Sequence, residues 1–261
     1  MKKLFIAILC SILFISLNAQ NDYKVIRING TIVIQKSSTA LIHGSVFNEN
    51  DELEFKTTNA RAAVINPGKG RFILMPNNNN IAYAKANLTP SMSNISSRAG
   101  GIINKLDLTN YFSGNCVIID KIELKINSKE YPMDENNFFF IRYNYKEESI
   151  PKKLSFRNDT LIIDKSELFT VDGWPIPNPN VYEMEILYRQ EEQKTNVLIN
   201  TFNPVFPETD ELKKEVEIII EADKTLTKAE KLNEVLSYIN DMYGKPNNDN
   251  IEKWLDENFK L

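Results

Sequence analysis

The sequence predicts a mainly β chain with a C-terminal α-helical segment: two small antiparallel, sandwich-like β-domains followed by about three short helices. Three observations carry this. Short runs rich in Val, Ile, Phe and Tyr recur between turn residues from 23 to 206. LTPSMSNISSRAGG at 88–101 has neither a strand nor a helix period and separates two groups of such runs. From 207 to 261, apolar residues recur at helical spacing behind capping residues.

The 261 residues are 42% hydrophobic and 25% charged, an ordinary globular composition with room for small domains in series. Residues 1–19 read as a signal peptide. Lys2 and Lys3 form its basic start, Leu4 to Leu17 its apolar run, and cleavage is expected after Ala19. The run is shorter than the roughly 20 residues of a membrane span. Cys10 lies too early in it for a lipidation site. The mature protein is therefore expected in the periplasm or outside the cell, without a transmembrane segment. The formal net charge is −4, and loss of Lys2 and Lys3 makes it two units more negative. A mildly acidic chain without a basic block is a poor nucleic-acid binder. Cys116 would be the one cysteine left, with no intramolecular disulfide to make, and is expected as a small buried hydrophobe.

The first β-domain is expected over 20–87. In VIRINGTIVI, Asn29-Gly30 between β-branched runs predicts a two-residue type I′ hairpin. Further strands are expected at 52–55, 60–65, 71–75 and 81–86, with Asn66-Pro67-Gly68-Lys69-Gly70 turning the chain and 76–80 breaking it. The stretch 23–75 resembles a FecR-like β-domain, through Gly30, Leu41, Gly44, Leu53, Ala60, Ala62, Val64 and Gly70. The resemblance implies a β-fold and a sensor or interaction character. The family's signalling members carry a membrane helix that has no counterpart here, so that role does not carry over. The whole chain also resembles exported proteins of Bacteroidota, which implies no activity.

The second β-domain is expected over 102–206. Strands are predicted in CVIIDKIELKI, FFFIRYNY, KKLSFR, TLIID, VYEMEILYR and TNVLINTF. Tyr182, Met184, Ile186 and Tyr188 should share one face, and Asn158-Asp159 should turn the chain. IIDKIEL at 118–124 and IIDKSEL at 162–168 raise the question of a repeat. The first copy is expected to stay in a strand. The second should enter one helical turn through an Asp164/Glu167 capping box. Two core strands of similar wording are the preferred reading, since a repeat needs a sustained period.

Residues 207–261 carry three helix starts: Thr209 with Asp210 and Glu211, the Thr227/Glu230 capping box, and Asp249/Glu252. Their apolar faces hold Ile219, Ile220, Leu236, Ile239, Trp254 and Leu255. Helices this short need packing, so the segment is expected either to close on itself or to dock on the second β-domain.

Few residues suggest chemistry. His43 is the one histidine, which excludes a two-histidine zinc site, and it is expected on the surface or in a turn. Neither a Gly-rich phosphate loop opening a helix nor a G-x-S-x-G elbow occurs. No catalytic residue, metal or cofactor is assigned. Two stretches are binding candidates. In SNISSRAGG, Ser96, Ser97, Arg98 and nearby amides suit an anion, the alternative being a plain linker. In VDGWPIPNP, Trp174 is either presented to a partner by a Pro-rich loop or pinned into the second domain's core. The expectation is an exported, non-enzymatic protein binding a protein or envelope component. The rival is a secreted hydrolase whose carboxylates or serine assemble only in three dimensions.

Overall fold

The computed structural model describes residues 21–76, 82–85, 105–176 and 179–259. The expected signal peptide and the 88–101 segment, with Ser96, Ser97 and Arg98, lie outside those residues. The fold is mainly β with helices toward the C-terminal end. Among the described residues no helix is long and apolar enough to cross a membrane. The chain forms two compact units. The first joins the β-strands before residue 87 to Lys213–Val235. The second joins the strands up to Leu212 to the segment from Leu236 onward. The C-terminal helical residues, expected either to close on themselves or to dock on the second β-domain, are divided between the two units.

In the first unit, β1 (Asp22–Asn29), β4 (Val46–Asn48), β6 (Arg61–Asn66), β7 (Gly70–Met75) and β8 (Ala82–Lys85) form an antiparallel sheet in the order β4-β1-β6-β7-β8. A smaller antiparallel sheet has the order β3-β2-β5, from β2 (Ile32–Ile34), β3 (Thr39–Ala40) and β5 (Leu53–Phe55). Both sheets feed one core that includes Tyr23, Val25, Ile32, Phe47, Leu53 and Val64. Asn66 closes the β6–β7 turn as expected, its side-chain oxygen accepting the Gly68 and Lys69 N–H groups at 2.9 Å each.

The Asn29-Gly30 hairpin does not form. β1 pairs with β4 and β6, while β2 pairs with β3 and β5, so the pair is a corner between two sheets. Only Gly30 has a positive φ, +81°, whereas a type I′ turn needs two. Burying Ile32 in the shared core outweighs the local turn preference. A β-bulge follows from the same packing. The register shifts between Val25 and Arg27, and both Val25 and the extra residue Ile26 are fully buried. His43 Nδ1 lies 2.7 Å from the Ile26 carbonyl. A carbonyl only accepts, so Nδ1 carries the proton, and the histidine satisfies a backbone group at the bulge.

In the second unit, β9 (Asn115–Val117), β11 (Asn137–Tyr145), β12 (Glu148–Lys153), β17 (Met184–Gln190) and β18 (Thr195–Val205) form a sheet in the order β12-β11-β17-β18-β9. Its ladders are antiparallel except β18 with β9. The second sheet is β10-β14-β13, from β10 (Lys121–Lys125), β13 (Ser155–Arg157) and β14 (Thr160–Asp164). Residues of both sheets, with α1 (Lys105–Tyr111), share one core around Phe112, Ile122, Phe139, Ile163, Ile186 and Phe202. Met184, Ile186 and Tyr188 are buried as expected, but Tyr182 precedes the strand and is exposed.

The two similar words take complementary structures. Ile118 to Asp120 leave β9 in a turn, with Asp120 at φ +54°, and only Lys121 onward is strand. In the second copy Ile162 to Asp164 are strand, while α2 (Lys165–Leu168) is a helical turn. The strands pair antiparallel, Ile122 opposite Ile163. They are neighbours in one sheet, not equivalent positions of a repeat. Asp164 caps α2 through the Ser166 N–H, but Glu167 turns to the Ser155 hydroxyl, so the capping box is half made.

The three C-terminal helices are α3 (Thr209–Ala222), α4 (Lys228–Met242) and α5 (Asn248–Phe259). Ile219, Leu236, Ile239, Trp254 and Leu255 are buried as their spacing predicts, with Ile218 buried and Ile220 half-buried. The cap of α5 is Asn247, not Asp249: its side-chain oxygen accepts the Asn250 N–H at 2.8 Å.

Candidate functional site

The ladder between β11 and β17 ends at the pair Arg142–Glu185. β11 continues to Tyr145, held on its other side by β12. On the β17 side, residues 180–183 take no strand structure. The fork opens a groove of about 440 Å³ lined by Arg142, Asn144, Asn180, Tyr182, Glu183 and Glu185.

Charge in the groove is partly neutralised. Arg142 Nε donates to Glu185 Oε2 at 2.5 Å, and this bond raises the guanidinium above its ordinary value. The groove floor is fixed from beneath. Tyr143 is buried and its hydroxyl donates to the Leu168 carbonyl at 2.6 Å, with burial pushing the phenol up to about 12. That bond ties β11 to the end of α2. Lys152 of β12 donates to the Thr170 carbonyl next to it.

Thr170 begins a small hairpin of β15 (Thr170–Val171) and β16 (Trp174–Pro175). Its loop is Asp172-Gly173, with φ of +51° and +82°, the positive pair a type I′ turn requires. Trp174 stands on this hairpin, 78% exposed, and Tyr182 is 76% exposed. They are the most exposed large hydrophobic residues among those described. Trp174 is thus outside the core, presented by a hairpin instead of a Pro-rich loop. The Asp-Gly pair is a hairpin signal in the sequence itself.

The structure does not bring Trp174 together with Ser96, Ser97 and Arg98, which lie outside the described residues. Arg142, Asn144, Tyr182 and Glu185 escaped the sequence reading. Arg142 is an exposed and Glu185 a half-buried position of ordinary strands, and Tyr182 fits the period of the buried face it does not join. Cys116 is buried as expected. Desolvation pushes its thiol up to about 12, a little offset by nearby Lys245, so it is an inert thiol. Among the described residues, no three His, Cys, Asp or Glu side chains gather to hold a metal ion.

No protein-family model matches the chain, and no curated protein matches it.

Proposed function

We propose that this chain is an exported, non-enzymatic binding protein of the cell envelope, recognising its partner through the fork between β11 and β17 and the Trp174 hairpin. The observation that carries the reading is the pair of exposed aromatics, Trp174 and Tyr182, in one short stretch of the second unit. Burying an aromatic face stabilises a complex, and Trp, Tyr and Arg dominate the energetics of interfaces. Tyr182 borders a groove that also holds Arg142. Export rests on Lys2, Lys3 and the Leu4 to Leu17 run, and the FecR-like pattern of 23–75 supports an interaction role.

The test is capture from an envelope extract with the protein lacking residues 1–19, compared with Trp174→Ala and Tyr182→Ala. Both side chains are exposed, so the melting temperature should stay within about 1–2 °C of wild type. A partner retained by wild type and lost by either variant is the expected result. A partner held equally by all three forms, or no partner at all, overturns the assignment. Mass spectrometry of the exported protein should begin at Gln20 or Asn21.

A further inference from the structure

We infer that the fork takes an extended peptide segment of a partner, pairing its main chain with Asn144 and setting a basic side chain against Glu183. The inference rests on the binding role proposed above and specifies its ligand. It starts from which backbone groups of β11 face the fork. The Leu154 N–H donates to the Phe139 carbonyl at 2.9 Å, so Phe139 directs its backbone groups toward β12. Direction alternates along a strand. Phe139, Ile141, Tyr143 and Tyr145 therefore face β12, while Phe140, Arg142 and Asn144 face β17. Phe140 and Arg142 lie opposite Leu187 and Glu185. Asn144 would face Glu183, but the ladder has ended, and among the described residues no backbone group bonds to Asn144 on that side. One N–H and one C=O therefore point together into the groove.

A donor and an acceptor from one extended residue match the acceptor and donor of one residue in an added antiparallel strand. The groove supplies the rest of such a site. Tyr182 gives an exposed ring for a peptide side chain, and Asn180 a side-chain amide. The charges select further. Glu185 is neutralised by Arg142, whereas Glu183 makes no ion pair among the described residues. The lining thus presents one uncompensated negative charge, which suits a Lys or Arg in the peptide. The outer edge of the same sheet is less inviting: β12 carries Pro151, Lys152 and Lys153, residues that discourage strand addition.

The probe is a pool of fluorescein-labelled heptapeptides with central Thr-Lys-Thr and flanks drawn from Val, Ile, Thr and Tyr. It is titrated into the protein lacking residues 1–19. Polarisation should saturate below about 1 mM, and the Asn144 amide resonance should shift downfield as its N–H gains an acceptor. N-methylation of the central residues should weaken binding at least about fivefold, as should Tyr182→Ala. Replacing the central Lys by Glu should weaken it for wild type but less so for Glu183→Gln. No saturation, or equal binding of the N-methylated pool, overturns the peptide assignment. If envelope capture still depends on Tyr182 in that case, the binding role stands and only its ligand class is wrong. If capture fails as well, both fall.

Discussion

Gly30 and Gly70 share a left-handed backbone, with φ of +81° and +88°, but not their surroundings. A Cβ at Gly30 would lie 2.9 Å from Thr57 Oγ1, 3.0 Å from Ala60 Cβ and 3.1 Å from Ala60 Cα. At Gly70 it would meet nothing within 4 Å. The Thr57 hydroxyl is also fixed, since it accepts the Thr31 N–H at 2.6 Å. Asn is the side chain that best tolerates positive φ, so it separates conformational strain from crowding. Gly70→Asn should cost at most about 1 kcal/mol. Gly30→Asn should cost about 1–3 kcal/mol more, the usual range for overpacking. Urea melts of the two variants check this. Equal midpoints would show that the corner between β1 and β2 can open and that only backbone conformation matters there. Gly30 was legible as a special glycine from VIRINGTIVI alone. Its reason was not, because Thr57 and Ala60 come near it only through the pairing of β2 with β5.

At the scale of elements, the turn between α3 and α4 depends on two exposed carboxylates. Asp223 accepts from the Thr225 hydroxyl at 2.6 Å and its N–H at 2.9 Å. Glu230 accepts from the Thr227 hydroxyl at 2.7 Å and its N–H at 2.8 Å. Glu230 N–H in turn donates to Thr227 Oγ1 at 3.3 Å, which completes the expected capping box. In both carboxyls these bonds, hydroxyl first, hold the pKa below the ordinary value. A lowered folded pKa means stability that is present above the unfolded value and lost as pH falls through the folded one. Thr227→Ala should therefore cost about 1 kcal/mol at pH 7, and the cost should shrink as pH falls through the lowered pKa of Glu230. Thermal melts of the two proteins at a series of pH values from 7 downward measure it, and a gap independent of pH throughout would remove Glu230 from the account. Such caps are written within four residues, so they read directly from sequence, as does the Asn66 turn. The sheet to which β2 belongs, the antiparallel meeting of the two IIDK words and the fork at Arg142–Glu185 are set by contacts distant in sequence. No local pattern encodes those. The Trp174 hairpin lies between: its Asp-Gly turn is local, but three nearby prolines favoured a loop reading.

At the scale of the whole molecule, the C-terminal helices complete both units. In the first, Val25 and Val64 face the core between the two sheets, yet Ile26, Ala63 and Ile65 are buried too. Ion pairs of the same unit link the large sheet to the helices. Arg27 meets Glu215 at 2.8 Å, and Arg71 Nε lies 3.7 Å from Glu234 Oε2, with the Arg71 side chain only 1% exposed. In the second unit, Asn250 of α5 seals one edge of β10. Its side chain accepts the Glu123 N–H at 3.0 Å and donates to the Glu123 carbonyl at 3.3 Å. Trp254 and Leu255 of the same helix are buried. Removing residues 208–261 would take the Glu215 and Glu234 carboxylates from Arg27 and Arg71 and open the buried Arg71 side chain to water. It would also return apolar area to water at about 25 cal/mol per Å². Losing the burial of several large side chains such as Val216, Ile219, Trp254 and Leu255, at about 1.5–3 kcal/mol each, is comparable to the whole stability of a small domain, about 5–15 kcal/mol. The fragment 20–207 should therefore lose cooperative melting and bind a hydrophobic dye, while the full chain from residue 20 does neither. Hydrogen exchange assigns the effect to each unit. Amides of β1 and β6 report on the first and those of β10 and β14 on the second, and protection should fall in both sets. Full protection of β1 and β6 in the fragment would mean that 213–235 adds no stability to the first unit. The tail would then belong, in energetic terms, to the second unit alone.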